Sequence, residues 1–304
     1  MKSKNFIGLT LATAWVTMAS AETGAIATTA SETSELGAVA ADYVLGEVNA
    51  ELSDFSNSML GDRFKYLSLS LNRQGSDVYL EGMSVFKLHE DKNWFLFNQT
   101  SLISDNGGQT LNFGLGARHI TDDETIIVGA NAFYDWDLTA GHKRVGVGGE
   151  FLTSIAQLRA NYYKGLTGEI LTNGVYSQAL NGYDIKFTYE LPFFYDSDIS
   201  YKRSAWYDGK GFVSRYQDIE VSAEVAPNLT LRVGGTRDGS GKNSTNVGFT
   251  FSHTFGAPAE TRQMRDGQFR IAMEPIRHML YQPVQRQNRI VKKSIKLGVT
   301  VSGY

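Results

Sequence analysis

The main feature of the chain is a long alternation of apolar and polar residues that runs from about residue 62 to residue 258. A period of two places successive side chains on opposite faces of a β-strand. The pattern therefore predicts strands that each have one apolar and one polar face. The alternation is clearest in the segments 108–119, 155–164, 181–191, 228–237 and 245–256.

Turn residues, mostly Gly, Asp and Asn, divide this region into about twelve segments. Many of them have about ten residues, the length of a tilted membrane-spanning strand, whereas strands of soluble proteins usually have about five or six. An even number of strands lets the first and the last strand pair in antiparallel fashion. We predict strands near 63–71, 77–88, 93–104, 108–119, 124–136, 143–153, 155–164, 181–191, 196–207, 211–225, 228–237 and 245–256.

A soluble sandwich also has sheets with one apolar face, so the alternation alone does not identify the solvent. Two further features favour lipid: the polar face carries charges and glycines, and aromatic residues crowd the segment ends, where the interfacial belts of membrane barrels lie. Closure is required, because an open sheet edge would leave unpaired backbone groups in hydrocarbon. The sequence thus predicts an all-β fold, a 12-stranded antiparallel transmembrane β-barrel over residues 62–258. The aromatic residues at segment ends include Trp94, Phe95, Tyr134, Trp136 and Trp206.

Residues 1–21 have the pattern of a cleaved signal peptide. Lys2 and Lys4 provide a basic start, residues 6–18 are mostly apolar, and residues 19–21 are small. A helical membrane anchor is the alternative, but the apolar run has about 13 residues, short of the roughly 20 that a spanning helix needs. We therefore expect export and cleavage before Glu22.

Residues 22–61 contain seven acidic residues and no Lys or Arg. The first part is rich in Ala, Thr, Ser and Glu and is expected to be a flexible leader. From Leu36 the apolar residues recur at helical spacing, which predicts one amphipathic helix. Packing on its own domain and a binding role are both compatible with this helix.

The character changes again in residues 259–304. Residues 259–296 hold nine Lys or Arg and three Asp or Glu, whereas the strand region carries about four net negative charges. We predict a helix over residues 264–280, interrupted by Pro275 and followed by Pro283, and a short strand over residues 294–304. This basic region is expected either to lie in an acidic lumen or to remain solvated in the periplasm.

Composition and motifs provide no sign of catalysis. The 304-residue chain has a net charge of −3, which gives no reason to expect a nucleic-acid partner, and it has no Cys for thiol chemistry or zinc. Its five His residues form no metal-like pair, and no Gly-x-Ser-x-Gly occurs. The glycines of residues 146–149 lack the spacing of a dinucleotide loop. We expect no enzyme activity, no cofactor and no small-molecule substrate.

Several segments together resemble the intimin/invasin family, the inverse autotransporters. The segment 131–150, NAFYDWDLTAGHKRVGVGGE, is similar to the family hallmark, and residues 113–119, 180–185 and 281–290 match further family segments in the same order. The motif residues are Asp135, Asp137, Gly141, His142, Arg144, Gly146, Gly148, Asn181, Gly182 and Tyr183. The residues of the linker after the barrel are Arg277, Tyr281, Pro283, Arg286, Asn288 and Arg289.

The resemblance implies a twelve-stranded barrel whose N-terminus lies in the periplasm and whose linker, partly helical, passes through the pore. It assigns the pore-threading helix and linker to residues 259–304 and places the helix from Leu36 at the periplasmic mouth. Family adhesins also carry immunoglobulin-like, lectin-like and LysM domains, which this sequence does not show. Host-cell adhesion is therefore not carried over, and a barrel-only member and a truncated gene both fit the sequence.

These observations lead to one expected function and two alternatives. The chain is expected to be a type V secretion translocator of the bacterial outer membrane that anchors and exports its own C-terminal segment. A small diffusion channel is the alternative, followed by a barrel lipid hydrolase. The expected partners are outer-membrane lipids, the outer-membrane assembly machinery and periplasmic chaperones.

Overall fold

The computed structural model describes residues 61–192, 196–255, 272–296 and 298–303, and sixteen strands lie within them. Twelve strands close into one antiparallel barrel, in the order β1 to β7 followed by β10 to β14, with β14 paired to β1. The strands are β1 (Phe64–Gln74), β2 (Asp77–Glu90), β3 (Trp94–Asp105), β4 (Gly108–Ile120), β5 (Ile127–Asp137), β6 (Lys143–Leu152), β7 (Ala156–Gly165), β8 (Glu169–Thr172), β9 (Val175–Ala179), β10 (Asn181–Leu191), β11 (Ser197–Tyr207), β12 (Val213–Ala226), β13 (Leu229–Asp238), β14 (Asn243–Thr254), β15 (Lys292–Lys296) and β16 (Gly298–Ser302).

The barrel has an apolar outer face and a polar inner face. In β5, buried and exposed residues alternate without exception over all 11 residues. In β14, Phe249 is 46 % exposed, whereas the hydroxyl of the next residue, Thr250, lies 2.9 Å from the Ser70 hydroxyl inside the barrel. This arrangement is the reverse of a soluble core and requires an apolar solvent outside. The predicted closed 12-stranded barrel is confirmed.

Not all of the aromatic residues at strand ends lie on the outer face. Trp94, Tyr134 and Trp136 are 48 %, 40 % and 43 % exposed, as expected of an interfacial belt. Phe95 and Trp206 are fully buried and point inward, so for these two the predicted position was wrong. Phe95 and Trp206 each pack in one of two apolar patches inside the lumen.

The two ends of the barrel differ. At one end, which we call the proximal end, β1 begins and β14 ends, and the described turns are 91–93, 121–126, 153–155 and 227–228. The opposite end, the distal end, carries the turns 75–76, 106–107, 138–142, 208–212 and 239–242 and the long connection 166–180.

A second sheet lies at the distal end. It has four strands in the order β16, β15, β9, β8. The hairpin of β8 and β9 belongs to the connection 166–180, and β15 pairs with β9 so that Lys292 lies opposite Ala179 and Ser294 opposite Ser177. The single strand predicted over 294–304 is wrong, because this range contains most of a second hairpin, formed by β15 and β16.

The predicted helix over 264–280 is not found in its described part. Residues 272–276 are non-helical and Arg277–Tyr281 form a short 3-10 helix. Pro275 lacks an N–H, and the N–H of Glu274 donates to the Ser154 hydroxyl (2.9 Å) rather than within a helix. Residues 264–271, the signal peptide and the helix predicted from Leu36 lie outside the described residues. No helix among the described residues is both long and apolar enough to cross a bilayer.

Candidate functional site: a polypeptide segment inside the barrel

Residues 272–291, here called the pore segment, cross the lumen from the proximal to the distal end. At the proximal end the Ile276 N–H donates to the carbonyl of Glu124, in the turn 121–126 (2.8 Å). At the distal end the Leu180 N–H donates to the carbonyl of Val291 (2.9 Å). The pore segment, which follows the last barrel strand in the sequence, therefore passes through the lumen of the barrel.

Two acidic residues of the barrel, one in a proximal turn and one at the end of a strand, bind the first half of the pore segment. The barrel strands are called the wall below. The Arg277 Nε donates to Glu124 Oε1 (2.7 Å). The Tyr281 hydroxyl donates to Glu90 Oε1 (2.6 Å), and its ring lies 5.2 Å from the ring of Phe95 in an edge-on arrangement. These contacts fix the segment where it leaves the proximal turns. The apolar patch around them includes Phe97, Ile120, Ile127, Leu152, Ile276, Met279, Leu280 and Val284.

Arg118 of β4 is fully buried and joins the wall to the pore segment. Its Nε and Nη2 donate to Glu150 Oε2 at 3.1 and 2.9 Å. Its Nη1 donates to the carbonyls of Leu280 (2.7 Å) and Gln282 (2.5 Å). Glu150 thus positions a guanidinium whose other edge binds the main chain of the segment, a charge-assisted interaction between buried groups.

The next residues of the segment bind to two side chains of the wall. Gln99 contacts both main-chain groups of Val284: its Nε2 donates to the carbonyl (3.2 Å), and its Oε1 accepts from the N–H (2.7 Å). The Tyr163 hydroxyl accepts from the Gln287 N–H (2.8 Å) and donates to Asp184 Oδ2 (2.5 Å).

Two arginines share one carboxylate in the distal half of the lumen. Asp135 Oδ2 accepts from Arg144 Nε of the wall (2.8 Å) and from Arg286 Nη2 of the pore segment (2.7 Å). All three side chains are at most 1 % exposed. The Arg286 guanidinium lies 4.3 Å from the Phe133 ring centroid. A Cβ added to Gly146 would lie 3.2 Å from Arg286 Nη2, so this glycine makes room for the guanidinium.

Arg144 also binds the main chain beyond Arg286. Its Nη2 donates to the carbonyl of Gln287 (2.5 Å), and its Nη1 donates to the carbonyl of Arg289 (3.1 Å). Like Arg118, it uses one edge for a wall acid and the other for the pore segment.

The last part of the pore segment contacts the distal parts of β1 and β2. Asn288 Nδ2 donates to Glu81 Oε1 (2.5 Å). Arg289 Nη2 donates to Gln74 Oε1 (2.9 Å), and its guanidinium lies 4.3 Å from the Tyr79 ring centroid.

Two lysines hold the hairpin of β15 and β16, here called the exit hairpin, on the distal end of the barrel. Lys292 Nζ donates to Asp137 Oδ2 (2.8 Å), while Asp137 Oδ1 accepts the N–H groups of Thr139 and Ala140 at 3.0 and 2.8 Å. Lys293 Nζ donates to Asp208 Oδ2 (2.7 Å), which with neighbouring backbone N–H groups lowers the pKa of that carboxyl to about 2.

His142 supports the connection 166–180, whose strand β9 pairs with β15. It is fully buried, with Nδ1 3.0 Å from the Thr167 hydroxyl and Nε2 2.8 Å from the Ser177 hydroxyl of β9. Burial lowers the pKa of His142, and the positive charge of Lys292 lowers it further against the opposite effect of Asp137. A neutral imidazole therefore holds β9 in place.

The motif residues of β10 have a different role from those of β5 and β6. Asn181 Oδ1 accepts the Gly165 N–H (3.0 Å). A Cβ on Gly182 would lie 2.2 Å from Trp206 Cε3, so the indole packs directly on this glycine. Tyr183 is 40 % exposed and points outward.

The remaining candidate residues shape the backbone and the lumen. Gly141 has a φ of 79°, and its N–H donates to the Asp137 carbonyl (2.9 Å) in the distal turn. A Cβ on Gly148 would meet Asn161 Oδ1 at 2.3 Å. Pro283 lies in the non-helical chain that follows the 3-10 helix.

The structure brings Asp135, Asp137, His142, Arg144 and Gly146 together with the pore segment and the exit hairpin. Sequence reasoning did not single out Arg118, Gln99, Glu150 and Tyr163. The alternation along β7 could have identified Tyr163 as a lumen residue, because it follows Gln157, Arg159 and Asn161 on the polar face of that strand.

Comparison with known proteins gives a family. The family model described as "Inverse autotransporter, beta-domain" matches residues 17–288. Invasin of Yersinia enterocolitica is 35 % identical over 134 residues, which are 40 % of this chain and 16 % of that protein. A putative attaching and effacing protein homolog of Escherichia coli (strain K12) is 28 % identical over 157 residues, which are 50 % of this chain and 52 % of that protein. This chain thus corresponds to only about half or less of either relative.

A solved structure described as "Unveiling the Mechanism Behind the in-meso Crystallization of Membrane Proteins" is similar with a TM-score of 0.66. The match covers 76 % of this chain and 100 % of that chain at 17 % sequence identity, so it shows the fold alone. Together with the apolar outer face of the barrel, the family match places the protein in a membrane. The chain belongs to the inverse autotransporter β-domain family and is a β-barrel of the bacterial outer membrane.

Proposed function

We propose that this barrel is the translocator for its own C-terminal segment, which it holds across the outer membrane with the distal end at the cell surface. The observation that carries the proposal is the path of the pore segment, bound to proximal turns at Ile276 and to the distal connection at Val291. A chain with this path has residues on both sides of the barrel.

Charge complementarity supports the proposal. The basic residues that follow the barrel meet acidic residues of the wall and turns along the whole path: Arg277 meets Glu124, Arg286 meets Asp135, Lys292 meets Asp137 and Lys293 meets Asp208. Buried charges without such partners would be costly, so the wall is suited to this occupant.

The exit hairpin supports the direction. Backbone pairing of β15 with β9, together with the two lysine ion pairs, forms only beyond the distal end of the barrel. These contacts stabilise the emerged state and oppose retraction. No catalysis is needed in this scheme.

The direction can be tested by labelling, because the chain has no Cys and one introduced Cys is therefore unique. We expect a membrane-impermeant maleimide to label Ser302→Cys and the distal-turn control Ser240→Cys in intact cells. Asp122→Cys, in a proximal turn, should react only after the outer membrane is permeabilised. Labelling of Ser240→Cys but not of Ser302→Cys in intact cells would contradict the proposal.

The diffusion channel remains the competing function, and the occupied lumen counts against it. Single-channel recordings should show low conductance for the whole chain and a large, steady conductance for a variant that lacks residues 272–303. Equal conductance of the two proteins would favour the channel.

A further inference from the structure

We infer that the lumen binds its occupant mainly through the main chain and therefore accepts extended polypeptide of widely differing sequence. The inference rests on the proposed function and deepens it, because it names the class of substrate. The side chains responsible, here called the backbone-binding set, are Gln99, Arg118, Arg144, Asn161 and Tyr163.

Contacts of this set follow the pore segment over eleven residues. In the proximal half, Arg118 Nη1 donates to the carbonyls of Met279 (3.4 Å), Leu280 (2.7 Å) and Gln282 (2.5 Å). All three bonds are to main-chain oxygens, which every amino acid provides.

In the centre the contacts resemble those of a neighbouring β-strand. Gln99 pairs with both the carbonyl (3.2 Å) and the N–H (2.7 Å) of Val284. Asn161 Nδ2 then donates to the carbonyl of Gln285 (3.3 Å).

In the distal half two further members of the set continue the pattern. The Tyr163 hydroxyl accepts the Gln287 N–H (2.8 Å). Arg144 donates to the carbonyls of Gln287 (2.5 Å), Asn288 (3.4 Å) and Arg289 (3.1 Å).

Acidic residues of the wall hold the set in position from behind. Glu150 binds Arg118 (2.9 Å) and Asp135 binds Arg144 (2.8 Å). Asp184 accepts from both Asn161 Nδ2 (2.8 Å) and the Tyr163 hydroxyl (2.5 Å). Buried polar groups that are fixed in this way bind without reorganising, whichever side chains the occupant carries.

The set makes one demand on sequence. It mostly donates to carbonyls, which proline also has, but it accepts an N–H at Val284 and at Gln287. Proline lacks this N–H. Pro283, the one proline between Met279 and Arg289, lies directly before the first of these positions and at neither of them.

A matched set of variants in the full chain tests the inference. Gln287→Pro removes the N–H that Tyr163 accepts. Gln285→Pro also removes an N–H, but the backbone-binding set contacts Gln285 only through its main-chain carbonyl, which proline retains. We expect Gln287→Pro to raise the fraction of time that the reconstituted barrel conducts by about tenfold, because a buried acceptor loses its donor. Gln287→Ala and Gln285→Pro should stay within about threefold of the parent chain.

A double-mutant cycle gives a second, independent readout. Tyr163→Phe removes the partner of the Gln287 N–H, so adding Gln287→Pro to it should have little further effect, whereas adding Gln285→Pro should multiply the single effects. Circular dichroism of each variant in detergent shows whether the barrel is folded.

The outcomes separate this inference from the proposed function. If Gln287→Ala opens the pore as much as Gln287→Pro, or if the cycle with Tyr163→Phe shows no coupling, backbone binding is overturned even when Ser302→Cys is labelled from outside. If the cycle shows coupling but Ser302→Cys stays inaccessible in intact cells, backbone binding stands and the export role falls.

Discussion

Arg286 and Asp135 form a two-bond ion pair in the distal half of the barrel, with Nη1 2.8 Å from Oδ1 and Nη2 2.7 Å from Oδ2. One partner belongs to the wall and the other to the pore segment, 151 residues later in the chain. This pair therefore ties the barrel wall to the pore segment through side chains, in addition to the main-chain contacts.

Asp135→Asn should strongly destabilise the folded barrel. The change leaves two buried guanidinium groups, those of Arg144 and Arg286, without their counter-charge, and breaking a buried ion pair costs about 3–5 kcal/mol. The free energy of unfolding in detergent, measured with guanidinium chloride, checks this. Asp123→Asn, in an exposed proximal turn, is the control and should cost less than about 1 kcal/mol. A similar cost for both variants would show that the pair of Arg286 and Asp135 does not contribute specially to stability.

The outer and inner faces should differ in their tolerance of charge. Phe249→Arg places a guanidinium in lipid and should cost about 2–4 kcal/mol if the residue lies near the midplane of the bilayer. Thr250→Arg places it toward the polar lumen and should be tolerated better. Folding free energies in lipid vesicles provide the comparison, and the reverse ranking would contradict the outward orientation of Phe249.

Gly182→Ala should destabilise the distal part of the barrel, because its Cβ would lie 2.2 Å from Trp206 Cε3 and 2.7 Å from the Ala205 carbonyl oxygen. Overpacking of this kind costs about 1–3 kcal/mol. Gly168→Ala is the matched control, since nothing lies within 4 Å of the added Cβ. Thermal unfolding in detergent should separate the two variants, and equal melting temperatures would contradict the packing argument.

The link between Lys293 and Asp208 should be insensitive to pH over most of the range. Because the pKa of Asp208 is lowered to about 2, its stabilising effect is complete above the ordinary value of 3.8 and is lost as the pH falls toward 2. In a chain that also carries His142→Gln, a nitroxide at Ser302→Cys should show constant mobility from about pH 8 to pH 4 and greater mobility below that. The Asp208→Asn chain should lack this step, and an unchanged step would exclude Asp208 as its origin.

His142 should make the distal sheet less stable in acid. Its pKa is lowered in the fold, so the unfolded distal region takes up a proton first, and stability declines as the pH falls below 6.5. A nitroxide at Thr172→Cys, in β8, should become more mobile below this pH. In His142→Gln the dependence between pH 7 and pH 5 should disappear, and its persistence would contradict the assignment.

The strand positions predicted from the sequence agree closely with those of the barrel strands in the structure. Each of the twelve predicted segments overlaps one barrel strand, and no boundary differs by more than three residues. The reason is that every barrel strand separates lipid from a polar lumen, which imposes a period of two over at least ten residues. The distal strands β8, β9, β15 and β16 have four or five residues, too few for such a pattern, and were missed as paired strands.

What the sequence determined by itself was the barrel: alternating residues, turn positions, an even strand number and a basic region after the last strand. Tertiary structure alone decided the interior. Gln99 contacts Val284 from 185 residues away, and Trp206 turns inward because Gly182 leaves space beneath it. Such contacts join short polar groups brought together only by closure of the barrel, and no local period records them. The path of the chain through its own pore is therefore a property of the fold.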